Sequence, residues 1–382
     1  MRRSTKHFSP DSAYSPSLPA SSAASAPPLS CGVDFPLDPD WMAERLVALG
    51  ESIRDAVLEI RDGKQGGAKG VCPGDLAAVH DASGEAGDIT YAIDAVAERA
   101  LLRFVESEIA PHCEVRLVAE GIAQQTSTNA SCKRPSITLI ADPIDGTRGL
   151  MTDKRPAWVL LGAAPGGRPA SPPPSLADIY VAAQVEIPIS KQWRSDMLWA
   201  VRGRGAAHAA WRDVRTGTRG ELLLRRPDLR DIRHRFVSFA KFFPGARDAI
   251  ASLEEEMLRR VLGPAREGLS EVFEDQYIST GGQLYELLMG RDAFIADIRP
   301  LFAPVLRERG LPRPLACHPY DLAAALVAEE AGIVLADGGG KPLTYPLDTH
   351  TECSWIGYAS PAIRAMIEPV LLALLRERGL GE

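Results

Sequence analysis

An apolar stretch, Ser136 to Ala141, runs straight into Asp142-Pro143-Ile144-Asp145-Gly146-Thr147, and this junction constrains the chain more than any other feature. Short apolar runs bounded by polar residues suit buried strands, so two acids three residues apart fall at a strand end. Pro143 fixes one φ and Gly146 permits a tight bend, which lets both carboxylates turn toward one point. Converging carboxylates with no nearby base repel one another unless a cation lies between them. Oxygen-only ligands select a hard ion, Mg²⁺ first and Mn²⁺ next. A helix starting after Gly146 would turn the free N–H groups of Gly146 and Thr147 toward a phosphate oxygen. The same six residues could instead form an acidic turn that caps a helix.

The rest of the chain alternates two periodicities. Between Asp40 and Asp62, Leu46, Leu49, Ile53, Val57 and Ile60 recur at helical steps. A Gly- and Lys-containing loop, Gly63 to Gly70, precedes Asp88-Ile-Thr-Tyr-Ala-Ile-Asp94 and a second periodic stretch from Val96 to Val105. Val115 to Ala119 reads as another buried strand ending at an acid, Glu120, and further strands are expected at Trp158–Ala163, Tyr180–Val185 and Met197–Val201. A Pro/Gly loop spans Pro165 to Pro174, and Gly203-Arg204-Gly205 reads as a turn. Helices are expected near Ala249–Leu262, Gln283–Met289 and Leu322–Ala331, the last stopped by Gly332. Interleaved helices and strands predict a layered α/β fold.

Composition narrows the function classes. A formal charge of −7 over 382 residues gives no reason to expect nucleic acid or an anionic membrane as partner. It does not exclude an anionic substrate, because a bound divalent ion reverses the local field. The six cysteines form no CxxC pair, which argues against a zinc ribbon or a thioredoxin-like motif and for reduced thiols in a cytoplasmic enzyme. Residues 1 to about 33 are rich in Ser, Ala and Pro and carry Arg2, Arg3 and Lys6. That composition predicts a disordered tail, with an organelle transit peptide as the alternative.

The hexapeptide resembles the DPIDGT signature of the inositol monophosphatase family, and further motifs follow in the family's order. Val118-Ala119-Glu120-Gly121 is similar to its glutamate strand end, and Asp88 to Asp94 resembles D-x-x-T-x-x-D. His318-Pro319-Tyr320-Asp321-Leu322-Ala323-Ala324-Ala325 with Glu329-Glu330-Ala331-Gly332 resembles the WDxAA…EAG helix. The resemblance covers about residues 40 to 375. It implies an αβαβα sandwich of the sugar-phosphatase type, with an N-terminal lobe over 34–190 holding the metal and phosphate site and a C-terminal lobe over 191–382. The implied activity is hydrolysis of a small phosphorylated metabolite with two or three Mg²⁺ ions, in a homodimer.

The resemblance assigns Glu120, Asp142, Asp145, the Ile144 carbonyl and Asp321 to the metals. Asp94 and Thr147 would activate the attacking water, with Glu120 also catalytic, and Gly146 and Thr147 amides would hold the phosphate. Asp297 would be the acid that contacts the substrate. Asp94 and Asp321 could equally be helix N-caps and Glu120 a surface acid. Several positions depart from the family pattern. The usual Glu-Glu pair is Glu120-Gly121, which weakens the case for a third metal, and Tyr320 replaces a tryptophan. Tyr91 stands where the family has a threonine. Arg148-Gly149-Leu150 leans toward relatives acting on nucleotide 3′-phosphates, and Asp297 to Cys317 is a longer link than expected. A haloacid-dehalogenase-type phosphatase is excluded, since its nucleophilic Asp would fall at Pro143. A non-catalytic sugar-phosphate-binding protein is the remaining rival, and the presence of all four carboxylates argues against it.

Overall fold

The computed structural model describes residues 37–62, 79–80, 90–127, 136–166, 173–224 and 228–381. The tail expected over residues 1–33, the loop at 63–70, Asp88 and residues 167–172 of the Pro/Gly loop lie outside them. Helix α1 (Pro39–Arg61) opens with Pro39 in its first turn and with Asp38 accepting a hydrogen bond from the Asp40 N–H at 2.9 Å. Both features stabilise a helix start. Its buried stripe, Met42, Leu46, Leu49, Ile53 and Val57, follows the periodicity of the sequence.

Strands β1 (Val79–His80) and β2 (Thr90–Tyr91) pair briefly and lead into α2 (Ala92–Phe104), which ends in a π-helical turn. Eight strands then form one sheet: β3 (Glu114–Ala119), β4 (Ile122–Ser127), β5 (Ser136–Asp145), β6 (Ala157–Pro165), β7 (Val181–Ile187), β8 (Arg194–Val201), β9 (Ala207–Asp213) and β10 (Arg219–Glu221). Their spatial order is β10-β9-β8-β7-β6-β5-β3-β4, with β3 and β5 parallel and all other neighbours antiparallel. The short helix α3 (Thr147–Met151) follows β5. A second sheet has the order β11-β12-β14-β13, from β11 (Phe236–Phe239), β12 (Asp292–Asp297), β13 (Val334–Asp337) and β14 (Trp355–Tyr358). Five more helices complete the chain: α4 (Arg247–Leu262), α5 (Thr280–Leu288), α6 (Ala303–Glu308), α7 (Ala325–Glu330) and α8 (Pro361–Glu377).

The layers are α, β, α, β and α. Because strand side chains alternate, β5 and β6 feed two cores. Ile137, Leu139, Ala141, Val159 and Leu161 meet α1 and α2, whereas Ile140, Trp158 and Leu160 meet α5 and α7 on the other face. The second sheet closes over α5 and α7 with Ile295, Leu335 and Trp355, and its outer face is covered by α4 and α8. Helix α1 lies so close to β7 that a Cβ on Gly50 would sit 2.5 Å from Val185 Cγ2. Among the described residues no helix is long and apolar enough to cross a membrane.

Two helices differ from the sequence reading. The helix expected from Leu322 is split into a 3₁₀ turn, Pro319–Leu322, and α7, because Asp321 caps its own turn by accepting from the His318 N–H at 2.6 Å. Helix α5 begins three residues before Gln283, at Thr280, because Ser279 is its N-cap: the side chain accepts from the Gly282 N–H at 2.9 Å.

Candidate active site

The pairing of β3 with β5 builds the first half of the site. The two strands are parallel with Ala119 opposite Ala141, and the Glu120 N–H donates to Ala141 O at 3.3 Å. Glu120 and Asp142 therefore leave the sheet side by side at the carboxyl ends of adjacent parallel strands, where the folded backbone opens a crevice. Strand β5 then breaks its register with β6 between Asp142 and Asp145. The Ile144 N–H donates to Asp142 Oδ1 at 3.0 Å, which curls the strand end and brings the second carboxylate back. Gly146 completes the bend at φ 92°, a conformation that disfavours any side chain, and its Cβ would lie 2.9 Å from Ser279 Cβ.

Asp321 arrives from the 3₁₀ turn between the two sheets. It caps that turn and also faces the other acids, so the capping and site readings hold together. Asp142, Asp145 and Asp321 each offer one carboxylate oxygen, all within 4.8 Å of one another. Glu120 lines the same cavity, of about 400 Å³, without joining that tight trio. Burial pushes the Asp142 carboxyl well above its ordinary value, and the charges of Glu120, Asp145 and Asp321 push it further. Burial, then Asp145, does the same to Asp321. Asp145 is raised to about 6 by burial, against three hydrogen bonds that favour its charged form.

Those three bonds come from residues the sequence reading does not single out. Ser279 Oγ donates to Asp145 Oδ2 at 2.8 Å, the Gly281 N–H to the same oxygen at 2.5 Å, and the Thr280 N–H to Oδ1 at 3.2 Å. Asp145 is thus seated on the first turn of α5. A Cβ on Gly281 would meet Leu160 Cδ2 at 2.6 Å and Asp145 Oδ2 at 3.0 Å, so the seat needs glycine there. The legible signal is Ser279-Thr-Gly-Gly ahead of the apolar Leu284, Leu287 and Leu288, an N-cap signature.

Thr147 Oγ1 lies 2.9 Å from Ile144 O and 3.3 Å from Asp94 Oδ1. A hydroxyl carries one proton, so it donates to one of these at a time. Asp94 sits in the first turn of α2, and Gly146, Thr147 and Ile144 all line the cavity. Asp297, expected to touch the substrate, is elsewhere. It is 1% exposed, lies outside the cavity lining, and both its oxygens receive Arg299, from Nε at 2.7 Å and Nη2 at 2.6 Å. The strand ends at Asp297 and the chain turns back, which puts Arg299 in the cavity wall in its place. Its guanidinium is 4.5 Å above the Phe242 ring and 5.1 Å from Phe243, while Arg148 lies 5.7 Å from Phe243 on the same wall.

The donor set fits a hard divalent cation. It is oxygen-only, largely buried, self-repelling, and no Lys or Arg among the described residues forms an ion pair with the three aspartates. Asp142, Asp145 and Asp321 would hold the ion, with Glu120 and the Ile144 carbonyl close by.

No protein-family model and no curated protein matches the sequence. Solved structures do match. The five-layered fold is shared with solved structures at low sequence identity. Holo fructose-1,6-bisphosphatase of Leishmania major aligns with TM-score 0.58 at 14% identity, over 89% of this chain and 96% of that one. An inositol monophosphatase–fructose 1,6-bisphosphatase aligns at 0.53 and 16% identity over 87% and 98%, and extragenic suppressor protein SuhB of Bartonella henselae at 0.52 and 16% over 87% and 97%. The likeness is one of fold.

Proposed function

We propose that this protein is a Mg²⁺-dependent phosphomonoesterase that hydrolyses a small phosphorylated metabolite of the inositol phosphate kind. The observation that carries the reading is the trio Asp142, Asp145 and Asp321, two buried acids of one strand end and a half-buried third from far along the chain, gathered in one cavity against their own repulsion. The structural neighbours named above, phosphatases but for the suppressor protein, agree with it. A divalent cation bound there supplies charge to the phosphoryl oxygens and makes water more acidic.

The chain's own residues divide the remaining work. When the Thr147 hydroxyl donates to Asp94, its lone pairs are left to accept a hydrogen from a water in the cavity. Proton transfer from that water to Thr147 Oγ1, as the threonine proton passes to Asp94, leaves an oxygen able to attack phosphorus. Asp145 is held still by α5, and Gly146 and Thr147, next to it in the cavity lining, supply N–H groups. Arg148 and Arg299 beside Phe243 favour a second reading, in which the substrate carries another anionic group, as a nucleotide 3′-phosphate does.

The test is release of phosphate by the purified protein from a panel of inositol, sugar and nucleotide monoesters. Release that requires Mg²⁺ and stops in excess chelator is expected. Undiminished release in chelator would refute the reading.

A further inference from the structure

A second cavity, of about 690 Å³, is lined by the far half of α5, at Tyr285 and Glu286, and by the start of β8. Four cationic side chains reach it: Arg155, Lys191, Arg194 and Arg291. Two of its three acids are placed differently from its cations, and the third, Glu286, is paired with Arg291. Glu186 and Asp196 are 4% and 3% exposed and turned inward, where Glu186 accepts from the Gln192 side chain and the Asp196 N–H, and Asp196 accepts from Tyr285 Oη at 2.6 Å. The guanidinium-bearing side chains of Arg194, Arg155 and Arg291 are 37%, 38% and 51% exposed. A molecule entering from solvent meets cations first and finds the carboxylates already occupied.

Three of those cations are also held in place. Arg155 lies 5.1 Å from the Tyr277 ring, Arg194 5.7 Å from Trp211 and Arg291 5.3 Å from Tyr285. A guanidinium over a ring is held in one plane, which lowers the entropy lost when the N–H groups that its carboxylate partner leaves over bind a phosphate oxygen. Each arginine shares its charge with one carboxylate: Asp275, Asp196 and Glu286 respectively. Lys191 forms no ion pair among the described residues, although Asp153 feels its charge, so it is the cation of the four not tied to one carboxylate. Burial beside Asp196 raises the Glu186 carboxyl to about 7, which trims the negative charge of the floor near neutral pH. The volume is that of sites for molecules of nucleotide or sugar-phosphate size.

We propose that this second cavity is a binding site for a small organic phosphate, distinct from the Asp142 cavity. It reaches the first site through two routes already described. Helix α5 carries Tyr285 and Glu286 at one end and the Asp145 seat at the other. Trp158, in its wall, is the cross-strand neighbour of both Asp145 and Glu186, and its ring lies 4.6 Å from Tyr285.

Inorganic pyrophosphate is the probe, titrated into the full chain in excess chelator by calorimetry and by the tryptophan emission to which Trp158 and Trp193 contribute. Without a cation the crowded carboxylates repel an anion from the first cavity, and the readout does not depend on turnover. Saturable binding is expected in the wild type and in Asp142→Asn. It should weaken about tenfold or more in Arg291→Ala and in Lys191→Glu, the loss of one charge-assisted hydrogen bond each. Lys191 is exposed and unpaired, so Lys191→Glu keeps its fold, checked by its melting temperature, and decides alone if Arg291→Ala does not. No binding by the wild type, or binding untouched by Lys191→Glu, whether or not Asp142→Asn tightens it, overturns the proposal.

Discussion

Replacing Ser279 separates two tasks performed by a single hydroxyl. Its oxygen accepts from the Gly282 N–H as the N-cap of α5, and its proton goes to Asp145 Oδ2. Ser279→Ala removes both. Loss of an N-cap costs about 1 kcal/mol, and loss of a bond to a charged carboxylate about 1.5 kcal/mol. The variant should therefore be roughly 2.5 kcal/mol less stable at pH above the Asp145 pKa. Ser279→Gly keeps most of the cap, because glycine caps within a few tenths of a kcal/mol of serine, but still loses the carboxylate bond. It should lie near 1.5 kcal/mol. Both variants withdraw a hydrogen bond that lowers the Asp145 pKa, so it rises further above about 6. The pH midpoint for Mg²⁺ uptake should move upward by about one unit in both. Urea denaturation at fixed pH gives the stabilities, and calorimetric Mg²⁺ titrations at a series of pH values give the midpoint. An alanine variant as stable as the wild type, with the same midpoint, would show that α5 does not seat Asp145.

Asp142→Asn should change activity and stability in opposite directions. Phosphate release should fall by at least roughly 10–100-fold, while in chelator the variant should melt higher than the wild type, because one buried like charge is gone. A lower melt in chelator would refute the repulsion argument. Asp145 binds its proton more tightly folded than unfolded, so in metal-free protein its stabilising contribution is complete below the ordinary value of 3.8 and is lost as pH rises through about 6. Melting in chelator should fall over that window, and the rise in melting temperature given by Mg²⁺ should grow with pH; a Mg²⁺ effect independent of pH would contradict it. Arg299→Ala leaves Asp297 buried and unpaired and should cost about 3–5 kcal/mol in denaturation, whereas the Arg299→Ala/Asp297→Ala double variant should recover part of it. A double variant no better than the single one would show that the ion pair is not the cause.

That Asp142 and Asp145 lie together was legible because their chemistry is local, a strand end with a proline and a glycine, whereas Asp321 joined them in the sequence only through the resemblance. In the first sheet β3 and β5 to β8 were legible, since each is six residues or longer and contains a largely apolar stretch, whereas β4 with its Gln-Gln-Thr-Ser was not. Strands β11, β13 and β14 have four residues each, too few to show a period. The seat of Asp145 was hidden for another reason. Ser279 announces a helix start, but nothing near it in sequence says which carboxylate, 134 residues away, that helix will hold. Asp297 shows the converse limit. An acid at a strand end reads as available, and only the turn that follows decides that Arg299, two residues on, takes both its oxygens.

Because Asp145 is fixed by α5, and α5 is packed between the two sheets, the cluster is a product of their docking. A chain that had formed only the first sheet would hold Glu120 and Asp142 in place, with Asp145 free to swing and Asp321 absent. Such a half-assembled molecule has little hold on a divalent ion, so tight uptake of the metal is a signature that the last layers have closed, and starving the chain of it during folding should lengthen the lifetime of the unfinished state.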